Sequence, residues 1–424
     1  MNPASIEALL SIVLVQWVLI ILAARLGGWL AVRMGQPPAV GEICAGLALG
    51  PSVLGLIWPE AFALLFPKEG ADLLRFLGKL GLILFLFHVG LNFDFSHLKG
   101  RSRSVLAVAA VGIALPFALG LAVSPWLHAQ FAPDASLAGL AFFVAIAMSI
   151  SALPIMGRIL MELGLERSLI GMTALSAAAI DDLIGWIGLA AIAALVGAGM
   201  VGFKPLLQIA GLALLALVLL KVARPLHARV LQRHAALSPG HLLFLAPTLL
   251  LSCLATYYLG VFAIFGAFAL GVALHGQGNL EQRWDERYAD PVRLLLVPVF
   301  FTYTGLNTRI GEFDSTLAWV ACGAVILLSV LGKFGGCYLA GRWSGLAHRE
   351  AGAVASLMNT RALMGLIAVS LGLELGVLNG QLYTMFVLMC LVTTAMAAPL
   401  LRSFLGGQAV HWASVDGVRA LAAR

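Results

Sequence analysis

The chain has 424 residues, 61% of them hydrophobic and only 11% charged, with a formal net charge of +6. A soluble domain carries about a quarter charged residues, so a core of this length cannot hide so much apolar surface and the solvent must largely be lipid. Its basic residues sit in short loops between apolar stretches, with no basic run, Gly-rich phosphate loop or CxxC pair, so neither nucleic acid nor a cofactor is an expected partner.

A hydrocarbon core of ~30 Å takes about 20 apolar residues per helix. Thirteen segments are predicted to span it, at about 6–26, 38–57, 73–91, 104–125, 136–160, 168–198, 205–225, 241–259, 261–275, 292–307, 316–341, 351–373 and 381–401. No Lys or Arg precedes the first, which predicts a retained helix rather than a signal peptide. Alternate loops gather Arg25 and Arg33; Lys99, Arg101 and Arg103; Arg158 and Arg167; Lys221, Arg224, Arg229 and Arg233; Arg283, Arg287 and Arg293; Arg342 and Arg349; and finally Arg402, Arg419 and Arg424. The opposite loops hold Lys68, Arg75, Lys204 and Arg309. The positive-inside rule then puts the N-terminus outside and the C-terminus in the cytoplasm of an inner (plasma) membrane. Residues 1–402 form one transmembrane domain, and 403–424 a short cytoplasmic tail. All five cysteines (Cys44, Cys253, Cys322, Cys337 and Cys390) fall inside apolar segments, which argues against a disulfide framework.

Segment two opens on Gly41-Glu42-Ile43, where Glu42 reads as an interfacial acid, and continues as Ala45-Gly46-Leu47-Ala48-Leu49-Gly50. Segment three carries Lys79, close enough to one end to snorkel, and His88, a lone imidazole that reads as structural rather than as a pH sensor. It ends in Gly90-Leu91-Asn92. Segment five is interrupted by Ser149-Ile150-Ser151-Ala152-Leu153-Pro154, where Pro154 removes a backbone donor and opposes the carbonyl four residues back.

Segment six contains Asp181 and Asp182. Counted at ~1.5 Å per residue from Ser168, they lie about 20 Å along the helix, near its middle. A central Asp costs about 2.5–3.5 kcal/mol even on the lenient insertion scale, and the default reading of an intramembrane acid is function. Neighbouring residues point ~100° apart around a helix, so the two acids cannot do the same job.

Segments nine and ten repeat the earlier pattern as Gly266-Ala267-Phe268-Ala269-Leu270-Gly271 and Gly305-Leu306-Asn307. Aligning segments 1–6 with 8–13 (about 6–198 with 241–401) leaves segment seven (205–225) as a linker. Paired segments are seven spans apart, an odd number, so the halves are inverted repeats, an arrangement common in secondary transporters. Segment eleven holds Gly332-Lys333-Phe334-Gly335-Gly336, whose small residues allow close helix approach and whose lysine is the natural partner for one aspartate. Segment twelve, the mate of segment five, is interrupted in turn by Asn359-Thr360-Arg361; Arg361 is suited to oppose exposed carbonyls at a half-helix C-terminus. An all-α protein with two discontinuous crossing helices and a mid-membrane acid pair is expected. One acid pairs with Lys333 and the other faces a cavity, where proton and monovalent cation compete for the same carboxylate oxygens.

These stretches together resemble the second branch of the cation:proton antiporters, which includes bacterial Na+/H+ and K+/H+ exchangers and the plant cation/H+ exchangers. The resemblance is carried by Gly41-Glu42 with Gly46 and Leu49-Gly50-Pro51, Ser149–Pro154 followed by Arg158-Ile159-Leu160, Asp181-Asp182, Gly332-Lys333 and Asn359-Thr360-Arg361. It implies a homodimer whose protomers move a core of segments five, six, eleven, twelve and thirteen. Within that core it implies Asp182 as the transient cation and proton site and Asp181 as the ion-pair partner of Lys333. Two residues depart from the family pattern: Asn92, where an acid is common, and His88. No large cytosolic nucleotide-binding module is expected after the last span. A Na+-coupled organic-solute symporter of similar architecture is the alternative. An intramembrane aspartyl protease ranks far lower, because its two acids come from different helices.

Overall fold

The computed structural model describes residues 3–92, 103–162, 165, 168–198, 204–233, 235–260, 262–313 and 315–405, and among these every regular element is helical. Lys99, Arg101, Arg167, Arg419 and Arg424 lie outside the described residues. Among the described residues eight helices are long and apolar enough to cross a membrane: Leu9–Arg33, Gly70–Leu91, Arg103–Phe131, Leu169–Leu189, Ala210–Arg233, Pro239–Tyr258, Thr316–Trp343 and Gly380–Leu405. They fall on eight of the thirteen expected segments. The other five are built of shorter pieces. Pro38–Ala48 is followed by the single turn Leu54–Ile57; Ala263–Leu274 stands alone; Val297–Leu306 follows a π turn; and the segments near 136–160 and 351–373 are each two helices.

Those two breaks are local in origin. The first helix of one pair, Leu137–Ser149, starts on Ser136, whose hydroxyl accepts from Gly139 N–H at 3.3 Å, and stops where Ile150 turns extended. The chain resumes as Leu153–Glu162. Pro154 is thus the second residue of a new helix, where an N–H has no intrahelical acceptor and its loss costs nothing. In the other pair, His348–Met358 ends at Asn359 and Ala362–Glu374 begins after Arg361. The breaks touch: Ala152 N–H donates to the Thr360 carbonyl at 2.7 Å. Each interrupted backbone thereby satisfies a group freed in the other, which is how irregular backbone is tolerated at membrane depth.

The residues divide into two compact units. One comprises Met1–Ile21, Ala63–Phe95 and Trp186–Tyr303; the other comprises Leu22–Phe62, Ser96–Gly185 and Thr304–Arg424. The repeated motifs pack in a matching way within each. In the second unit a Cβ on Gly305 would stand 2.1 Å from the Gly46 carbonyl oxygen, and one on Gly50 2.4 Å from the Gly305 oxygen. In the first unit a Cβ on Gly90 would stand 2.4 Å from the Phe268 oxygen, and one on Gly271 2.4 Å from the Phe87 oxygen. Segment two therefore meets segment ten as segment nine meets segment three, with backbones too close for any side chain.

Candidate functional site

The two aspartates lie at the thirteenth and fourteenth positions of the Leu169–Ala198 helix, and both are buried, at 2% and 1% exposure. Lys333 Nζ, fully buried, donates to Asp181 Oδ2 and, at 2.5 Å, to the Ser149 carbonyl. That carbonyl belongs to the last residue of its half-helix, where a backbone acceptor has no intrahelical partner. The Ser151 hydroxyl, in the break, lies 2.8 Å from both Asp181 Oδ2 and the Met358 carbonyl; its single proton serves one at a time. Ser149 Oγ instead lies 2.7 Å from the Ala145 carbonyl of its own helix and 3.2 Å from the Ile113 carbonyl, and its single proton serves one at a time.

Lys333 occupies a π turn, Leu331–Gly335, between the Thr316–Val330 and Gly336–Trp343 helices. Such turns widen a helix locally and are frequent at functional sites. Its flanking glycines do what their spacing suggests. A Cβ on Gly332 would stand 2.8 Å from Pro116 Cα, and one on Gly336 3.4 Å from the Val111 oxygen, so both lie against the Arg103–Phe131 helix.

Asp182 differs in kind. Neither of its carboxylate oxygens has a hydrogen-bond partner, and Asp181 Oδ1 and Asn359 Oδ1 are likewise buried and unpartnered. A buried carboxylate with no hydrogen-bond partner is strongly disfavoured as an anion, so its charge needs a proton, a cation or a nearby basic group. All four atoms are oxygens, the donor type that hard cations take.

Arg361 is fully buried and opposes no half-helix end of its own pair. Its guanidinium donates to the Ser329 hydroxyl and, at 2.9 Å, to the Ser329 carbonyl, one residue before the Thr316–Val330 helix ends. Asp181, Asp182, Lys333 and Arg361 together make two buried acids and two buried bases, whereas the sequence reading balanced the acids against Lys333 alone. Arg361 is hydrogen-bonded to neither acid, so its compensation is through space. Thr360 Oγ1 donates to the Leu357 carbonyl at 2.8 Å, and Asn359 Nδ2 to the Thr393 carbonyl at 3.4 Å.

The residues read as peripheral fall elsewhere. Glu42 is half-buried in the Pro38–Ala48 helix. His88 is not a lone imidazole: its Nδ1 lies 3.1 Å from Asp285 Oδ1, and Asn92 Nδ2 reaches the same oxygen at 3.3 Å. Partial burial pushes the Asp285 carboxyl up, but the hydrogen bond and charge of His88 and the Asn92 hydrogen bond outweigh it and hold the group below its ordinary value. Sequence reasoning missed Ser329 and Thr394. Ser329 is a hydroxyl in an apolar stretch one helical turn before Lys333, which was an available signal, whereas Thr394 stands beside Thr393 and on the same helix as Thr384, so nothing in the sequence singles it out.

The chain matches the family described as sodium/hydrogen exchanger, transmembrane, over residues 20–405. It is 36% identical over 397 residues to the Na(+)/H(+) antiporter NhaS4 of Synechocystis sp., covering 92% of this chain and 96% of the relative. It is 35% identical over 402 residues to Cation/H(+) antiporter 17 of Arabidopsis thaliana, covering 94% of this chain and 49% of the relative. The chain therefore spans about half the length of that plant protein. Its fold is similar to that of the sodium proton antiporter MjNhaP1 of Methanocaldococcus jannaschii, with a TM-score of 0.65, 15% identity, and coverage of 93% of this chain and 96% of the other.

Proposed function

This chain belongs to the sodium/hydrogen exchanger family, and from that we propose that it is a secondary antiporter exchanging a monovalent cation, Na+ or K+, for protons by alternating access. The observation that carries the assignment to particular residues is the contrast between neighbouring acids. Asp181 is committed to Lys333 and Ser151, while both Asp182 oxygens are buried without a partner. Asp182 is the site that proton and cation share, and the Asp181–Lys333 pair fixes its surroundings. The breaks at 150–152 and 359–361, with Ser149, Ser151, Pro154, Asn359, Thr360 and Arg361 around them, bring polar backbone and side chains to membrane depth beside the acids.

Thirteen crossings, counting the five shorter segments, arranged as inverted repeats about the 205–225 linker, are supported by the matching glycine contacts of segments two with ten and nine with three. The positive-inside pattern supports a cytoplasmic C-terminus, a 403–424 tail on that side and insertion in the plasma membrane. The protein works as a homodimer. The deciding experiment is reconstitution in proteoliposomes with a trapped pH-sensitive dye. Adding Na+, K+ or Li+ alone should move protons, and Asp182→Asn should abolish the response. Proton movement that requires an organic solute would replace this reading with a symporter.

A further inference from the structure

The Ala362–Glu374 half-helix has a problem at its start that its own sequence cannot solve. The first N–H groups of a helix have no intrahelical acceptor, and a cap normally comes from a Ser, Thr, Asp or Asn at the position before it. That position is Arg361, whose side chain has donors only. The preceding hydroxyl, Thr360 Oγ1, is turned back to the Leu357 carbonyl. Nothing local can therefore accept from the Arg361 and Ala362 N–H groups, which are fully buried together with the rest of the break.

Both N–H groups donate to one atom, Thr394 Oγ1 on the Gly380–Leu405 helix, at 3.0 Å from Arg361 and 2.9 Å from Ala362. The same hydroxyl donates its proton to the Cys390 carbonyl at 2.8 Å, so all its capacity as one donor and two acceptors is used. The adjacent Thr393 carbonyl receives Asn359 Nδ2, which fixes the other end of the same break. From there the connection is short. The Thr360 carbonyl accepts from Ala152 N–H, and the next residue back, Ser151, reaches Asp181.

We infer that Thr394 is a positioning residue for exchange: a helix cap supplied from another helix, which sets the 359–362 break and through it the surroundings of the acid pair. The inference rests on the antiport reading for its functional consequence. It touches neither acid, and acts by holding backbone in place. A hydroxyl is required at 394, and the methyl group is not.

The test compares the full chain with Thr394→Val, which keeps the shape and removes the acceptor, and Thr394→Ser, which keeps the acceptor and removes the methyl. Losing a cap of this kind weakens the capped arrangement by about fivefold to tenfold. Amide hydrogen exchange of the 359–365 peptide in purified protein should rise by about that factor in Thr394→Val and stay at the wild-type rate in Thr394→Ser. In proteoliposomes the apparent KM for the driving cation should rise severalfold in Thr394→Val with a smaller change in maximal rate, and Thr394→Ser should restore it. Unchanged exchange of 359–365 in Thr394→Val, or Thr394→Ser behaving like Thr394→Val in either assay, would overturn the inference. So would an unaltered KM in Thr394→Val while wild type transports. If wild-type protein moves no protons in response to cations, the antiport reading fails instead, and the amide measurement still decides whether Thr394 caps the break.

Discussion

The protein holds two acid–base clusters built from similar groups in opposite surroundings. In one unit Asp285, His88 and Asn92 meet where Asp285 is about half exposed, with a side-chain exposure of 48%. In the other Asp181 and Lys333 meet at 0% exposure with Asp182 alongside. Water screens the first cluster, so its partners gain little from each other and lose little when parted. In the second, no solvent can replace a missing partner, so every charge must be matched by another group, a proton or an ion. The same kinds of group are therefore only weakly coupled at one place and cannot be parted without a large cost at the other, and burial rather than residue type makes the difference.

The contrast between the clusters makes four outcomes measurable. The largest effect belongs to Asp182→Asn, which keeps the shape and removes the charge; cation-driven proton movement should fall to the level of empty vesicles while the protein remains inserted and folded. Next, breaking the buried pair one side at a time, with Asp181→Asn or Lys333→Met, should lower stability by about 3–5 kcal/mol, because each leaves an uncompensated buried group. The double variant should lose clearly less than the sum, as measured by a double-mutant cycle on thermal unfolding. Third, Asp182→Asn should be as stable as wild type or more so by about 1 kcal/mol, since it removes an unpartnered buried charge at the expense of activity. A marked loss of stability would mean that Asp182 is a packing residue.

The smallest effect concerns the exposed cluster. The Asp285 carboxyl is held below its ordinary value in the folded protein. Its contribution is thus fully present above the ordinary Asp range, near pH 4, and is lost as pH falls through the lowered folded value. Asp285→Asn should change stability at pH 7 by no more than about 0.5 kcal/mol, and wild type and variant should converge below pH 4. A large difference at neutral pH would erase the distinction between the clusters.

Much of the buried cluster was legible in the chain because lipid makes charge conspicuous. Asp181, Asp182, Lys333 and Arg361 stand out against apolar segments, and the paired interruptions at Ser149–Pro154 and Asn359–Arg361 mark both breaks. What stayed hidden was pairing between distant segments. Nothing in the order of residues tells which hydroxyl on the last helix meets Arg361 N–H, or that Ser329 rather than a half-helix end receives the guanidinium. Pro154 was legible as a breaker, but its place as the second residue of a new helix depends on where Ile150 turns out of the first. His88 was misjudged as solitary because its acid lies 197 positions away, at Asp285, inside a stretch read only for its basic residues.

Proton release on cation binding separates a carboxylate that proton and cation share from one that only one of them occupies. Purified protein in weak buffer near its working pH, titrated with Na+, K+ or Li+, should acidify the medium by about one proton per bound cation, as expected when an ion displaces a proton from a shared ligand. Asp182→Asn should release none. Cation binding without acidification in wild type, or equal release from Asp182→Asn, would contradict the assignment of Asp182 as the shared site.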